Sequence, residues 1–133
     1  MRGSWTLLIM VLHIASFGGA ARAQMLDDEK QRCFVDHSDA ERSIAGCTGA
    51  IQSGQLTTVD RAVAFTNRGG AYLTEGQIAL AIQDFDQAIR LDPNDATAFN
   101  NRCWARAVLG QPRQAMADCD QSLRLQPNNT NAR

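Results

Sequence analysis

The chain has 133 residues, 44% hydrophobic and 20% charged, with 13 basic and 14 acidic side chains and a formal net charge of −1. So even a balance lacks the electrostatic footprint of a nucleic-acid binder or of a protein held on an anionic membrane. Four cysteines with neither a C-x-x-C pair nor clustered ligand spacing speak against a thiol redox centre and against zinc.

In chain order, the first 23 residues read as an export signal. Arg2 supplies a positive charge, Trp5 to Phe17 form an apolar run, and Ala21-Arg22-Ala23 form a small-x-small cleavage site before Gln24. An apolar run of about 13 residues falls short of the ~20 needed to span a bilayer. No Cys follows the cut, so a lipid anchor there has no support. The expected mature chain, Gln24 to Arg133, is one domain of about 110 residues, free of a membrane anchor. The loss of Arg2 and Arg22 leaves it about 11 basic against 14 acidic side chains. Its expected location is exported, either periplasmic or secreted, in a bacterium.

Residues 24–60 are expected to form a degenerate helical hairpin. Within it, Leu26 to Gly54 reads as a short helix, a polar turn at Asp36-His37-Ser38-Asp39, and a second helix marked by Ile44, Cys47, Ala50 and Ile51. Cys33 and Cys47 are centred on residue 40, just beyond that turn, which sets them opposite each other. In an oxidising space this favours a disulfide.

Residues 61–94 and 95–129 are one unit written twice, with a four-residue tail at 130–133. A shift of 34 residues superposes about half of the positions, among them Phe65 on Phe99, Asn67 on Asn101, Arg68 on Arg102, Gly76 on Gly110 and Pro93 on Pro127. Ile78, Ala81, Ile82, Phe85, Ala88 and Ile89 line one face of a helix. Gly76-Gln77 is short enough to force the preceding helix antiparallel to it. Gly69 and Ala81 let the backbones approach. Cys103 and Cys119 are centred on residue 111, at the turn of the second unit, and take the places of Gly69 and Phe85. A second disulfide is expected there.

The stretches NRGGAYLTEGQIALAIQDFDQAIRLDPN and NRCWARAVLGQPRQAMADCDQSLRLQPN resemble tetratricopeptide repeats, with Cys103, Arg106 and Cys119 departing from that family's pattern in the second. The resemblance implies an all-α fold, a short α-solenoid of stacked antiparallel hairpins comprising two such units plus the degenerate one. It implies a scaffold that binds protein or peptide on a concave wall built from the first helices, and no enzyme. On that wall would stand Val63, Thr66, Asn67, Gly70, Leu73 and Thr74, then Thr97, Asn100, Asn101, Trp104, Ala107 and Val108. Asn67 and Asn101 suit a grip on peptide backbone, or else tie helices together. Trp104 suits a binding anchor, or else packs a further layer. Relatives that hold acidic chaperone tails use Lys and Asn on this wall, whereas Thr66, Gly70, Asn100 and Trp104 stand at the matching places here. That clamp is missing.

No catalytic constellation, cofactor motif or metal set stands out, and His37 sits in a polar turn. Asp84, Asp86, Asp118 and Asp120 recur with the repeat and are expected as charges on the outer edge of the second helices, near Arg68, Arg90, Arg102 or Arg124. The alternative to peptide binding is self-assembly into homo-oligomers through the last hairpin, around Met116 and Leu123.

Overall fold

The computed structural model describes residues 4–126. Arg2 of the expected signal, Pro127 and the tail fall outside that range. Six helices follow one another among the described residues: α1 Ser4–Phe34, α2 Ala40–Gln52, α3 Thr58–Thr74, α4 Ile78–Leu91, α5 Ala96–Val108 and α6 Pro112–Leu125. They pair as α1 with α2, α3 with α4 and α5 with α6, and the pairs stack through α2 on α3 and α4 on α5. The fold is an all-α stack of hairpins, with no strand among the described residues.

Local chemistry explains the helix boundaries. Side chains of Asp39, Thr57 and Asp95 cap α2, α3 and α5 by accepting from the backbone N–H three residues on, at 3.2, 3.1 and 2.9 Å. The Thr57 cap starts α3 at Thr58, ahead of residue 61 where the first repeat unit was expected to begin. The two repeat turns are copies of each other. Gly76 and Gly110 have φ of 72° and 74°, a conformation that a β-carbon disfavours. Beside them Gln77 N–H donates to the Tyr72 carbonyl and Gln111 N–H to that of Arg106, at 2.8 and 2.9 Å. α1 departs from expectation. A short helix near Leu26 is instead one continuous helix from Ser4, through Ala21-Arg22-Ala23, because the Ala, Arg, Gln, Met and Leu residues leading to Leu26 are all strong helix formers. No helix among the described residues is long and apolar enough to cross a membrane.

The core is narrow and built largely of alanine. Phe65, Phe85, Ala81, Ala88 and Ala98 form its centre, with Ile51, Tyr72, Leu73, Ile89 and Leu91 packed around it. Phe85 is completely buried, which stabilises the fold by roughly 2–3 kcal/mol relative to an exposed ring. A second cluster joins Cys33, Cys47 and Ala64. Cys33 is bonded to Cys47 and Cys103 to Cys119, with Cα–Cα distances of 4.5 and 5.3 Å. Each bond links the two helices of one hairpin, at the first and last of the three.

Two of the four charges expected at the outer edge, Asp84 and Asp118, lie inside the hairpins, while Asp120 is exposed. Asp84 and Asp118 are only 5% and 3% exposed, and each receives a two-pronged guanidinium from its own hairpin. Arg68 Nε and Nη2 donate to Asp84 at 2.7 and 2.8 Å. Arg102 Nε and Nη2 donate to Asp118 at 2.9 and 2.6 Å. The third prong crosses to the preceding hairpin, where Arg68 Nη1 reaches Thr48 Oγ1 at 3.0 Å and Arg102 Nη1 reaches Asp86 at 2.6 Å. Each arginine thus joins two hairpins. The hydrogen bond to Asp84 holds the Arg68 guanidinium above its ordinary pKa against the pull of burial. Burial lowers that of Arg102, but its bonds to Asp118 and Asp86 outweigh the loss and leave it raised. Arg90 stays exposed, and Arg124 turns to Gln121 instead.

Candidate binding groove

A cavity of about 360 Å³ opens where the α1–α2 turn meets α3 and α5. His37 and Ser38 of the turn, with Ser43 of α2, form one side. Asn67 and Gly70 of α3 and Asn101 of α5 form the other, with Ala40, Thr66, Ala71, Thr74 and Thr97 completing the lining. No Asp, Glu, Lys or Arg is among these residues.

The turn that closes this side is held by Asp36, whose carboxylate accepts from the Ser38 N–H at 3.1 Å and the Ser38 hydroxyl at 2.5 Å. The hydroxyl, followed by the backbone bond, holds the Asp36 carboxyl below the usual carboxylate range. The opposite wall is fixed by Asp95. One of its oxygens caps α5 and the other accepts the Thr66 hydroxyl at 2.7 Å. α5 is thereby registered against α3.

The expected wall residues divide by what they touch. Thr66 lines the cavity but is buried, and its hydroxyl donates a hydrogen bond to Asp95. Asn67 lines it too, while its amide Nδ2 donates to the Cys33 carbonyl at 3.0 Å and so ties α3 to α1. Asn101 lines the cavity and makes no side-chain hydrogen bond within the described chain. Leu73 turns away from the groove and packs in the core beside Phe85. Asn100, half-buried, is not part of the lining. Trp104 is 54% exposed and lies outside the cavity one turn along α5 from Val108, which is equally exposed.

Ser43 and the α1–α2 turn lie outside the wall that the repeat defines. Ser43 Oγ is buried with no hydrogen-bond partner among the described residues. Such a group costs about 1–3 kcal/mol until something satisfies it. The only hint in the sequence is position, since Ser43 stands on the second helix one turn before Cys47.

The sequence profile described as Tetratricopeptide repeat matches residues 62–95. The second TPR domain of human RPAP3, solved in complex with the HSP70 peptide SGPTIEEVD, is 32% identical, with a TM-score of 0.69 over 84% of this chain and 91% of that one. The chain is a tetratricopeptide repeat protein. The second TPR of Spaghetti (RPAP3), bound to the HSP90 peptide SRMEEVD, is 31% identical with a TM-score of 0.66, covering 80% of this TPR protein and 99% of that chain. The Arabidopsis OM64 TPR domain has the same fold at 24% identity, with a TM-score of 0.73 over 84% and 90% of the two chains. No curated protein matches this TPR protein by sequence.

Proposed function

We propose that this TPR protein is an exported scaffold that holds an extended, uncharged stretch of a protein or peptide in the groove between Ser43 and Asn101. The observation that carries this reading is two polar side chains without partners among the described residues, Ser43 Oγ and the Asn101 amide, in a cavity lined by no Asp, Glu, Lys or Arg. A peptide backbone offers both donors and acceptors, and an Asn amide meets either whatever the peptide's side chains are. Trp104 and Val108 continue the wall with apolar surface, where a large side chain of the same peptide would be anchored.

Two of the related structures hold peptides that end in two glutamates, a valine and an aspartate. The groove here has no cation to meet such a chain, and an unpaired carboxylate is costly to desolvate. Binding, not catalysis, suits it: the cavity brings together hydroxyls and amides but no activated nucleophile with a base. Two disulfides suit an oxidising compartment, which supports export.

The test is fluorescence anisotropy with a panel of labelled nonapeptides, neutral and acidic, against the oxidised protein. Neutral extended peptides should bind, and Asn101→Ala and Trp104→Ala should each weaken them by tenfold or more. SRMEEVD should not compete. Tighter binding of the acidic peptides than of the neutral ones would overturn the reading.

A further inference from the structure

The ladder of arginines ends differently at its two ends. In α1, Arg32 precedes Cys33 as Arg68 precedes Gly69 and Arg102 precedes Cys103. It lies over Gly46, where a β-carbon would meet Arg32 Cβ at 2.5 Å, and Gly46 holds the place that Asp84 and Asp118 hold in the other hairpins. At the other end, Asp120 of α6 repeats the position of Asp86. Asp86 receives Arg102 from the next hairpin, whereas Asp120 is exposed and pairs with nothing among the described residues.

Around Asp120, α6 repeats the α4 residues that flank Asp86: Met116 stands for Ile82 and Leu123 for Ile89. Ile82, Ile89 and Leu123 are partly buried, while Met116 is 67% exposed. α5 reaches Asp86 of α4 through an arginine that follows a phenylalanine by three residues. Arg102 stacks 5.5 Å from the centre of the Phe99 ring as it reaches Asp86, and Arg68 stacks on Phe65 at the same distance in α3. The surface and the element that fits it are therefore both written in this chain.

We propose that the α6 face around Met116, Asp120 and Leu123 docks a helix of a partner protein that carries the pattern F-x-x-R, its arginine pairing with Asp120. A second copy fits this face poorly. Its Arg68 and Arg102 are already spent inside their own ladder. Its free Arg32 follows Asp28-Glu29, where α3 has Ala64-Phe65 and α5 has Ala98-Phe99, so α1 would bring two more carboxylates toward Asp120. Like charges so placed oppose docking. The site is separate from the groove.

The probe is a labelled synthetic peptide with the sequence of residues 95–109, carrying Cys103→Ala to prevent disulfide exchange, titrated into the full oxidised chain by anisotropy. Saturable binding is expected, weakened tenfold or more by Asp120→Arg and less by Asp120→Asn, with circular dichroism unchanged because Asp120 is exposed. A peptide with Arg102→Glu should bind the Asp120→Arg protein better than it binds the unaltered one. The proposal falls if the peptide does not bind, if both Asp120 variants bind it like the unaltered chain, or if Asn101→Ala abolishes binding. It also falls if sedimentation shows the protein alone to be a dimer that Asp120→Arg dissociates, since the face would then belong to a second copy.

Discussion

Gly69 lies against the ring of Phe85 so closely that a β-carbon on the glycine would stand 2.6 Å from Cε1. This contact sets the spacing of α3 and α4, and it holds the unstapled middle hairpin together where the first and last hairpins have disulfides. The adjacent Gly70 has open space within 4 Å and lines the groove.

The two glycines should therefore respond oppositely to one methyl group. Gly69→Ala should destabilise the protein by about 1–3 kcal/mol through overpacking against Phe85. Gly70→Ala should stabilise it by up to about 1 kcal/mol, because alanine favours the helix and nothing is displaced. Thermal denaturation of both variants decides it. Equal loss in both would mean that the contact does not set the helix spacing.

Asp84 and Asp86 are two residues apart and should differ in weight. Asp84→Ala strands Arg68 in a half-buried site and should cost about 3 kcal/mol. The Asp86 side chain is 39% exposed, and Arg102 keeps Asp118 when it is lost, so Asp86→Ala should cost about 1 kcal/mol or less. Urea unfolding gives both values. Small and equal losses in both would mean that Asp84 is an exposed charge like Asp86.

Removing the first disulfide by Cys33→Ala with Cys47→Ala should cost roughly 3 kcal/mol, the chain-entropy value for a loop of about this length. The loss should be read in groove binding as well as in stability. Asn67 donates to the Cys33 carbonyl, and the α1–α2 turn forms one side of the cavity. Unchanged peptide affinity in a clearly destabilised variant would mean that the turn takes no part in binding.

Protein recovered from the exported fraction should begin at Gln24, as intact mass and amino-terminal sequencing will show. The remaining α1 segment, Gln24 to Phe34, keeps Leu26 and Cys33, which are the buried residues of that helix from Gly18 onward. Loss of the first 23 residues should then leave the thermal midpoint of the hairpins unchanged. Export of a chain that still carries residues 1–23 would refute the cleavage.

Much of this protein was legible in one dimension. A period of 34 residues, a glycine at each repeat turn and an apolar face at helical spacing dictate antiparallel hairpins that stack. The cysteine pairs followed by counting outward from the turns. These are local or periodic signals, and a helix carries them in its own sequence. What sequence could not decide was which way a side chain on a given face would be answered. Asp84 reads as surface charge until Arg68, 16 residues away, closes on it. Asn67 reads as a ligand contact or a tie between helices until the Cys33 carbonyl, 34 residues away, accepts from its amide. Thr66 is claimed by Asp95 and Leu73 by the core. The groove itself needed the α1–α2 turn and Ser43, which belong to no repeat match. Burial and partnership are properties of the stacked hairpins, because a polar group's state depends on what the neighbouring helix brings to it, and only the tertiary structure states that.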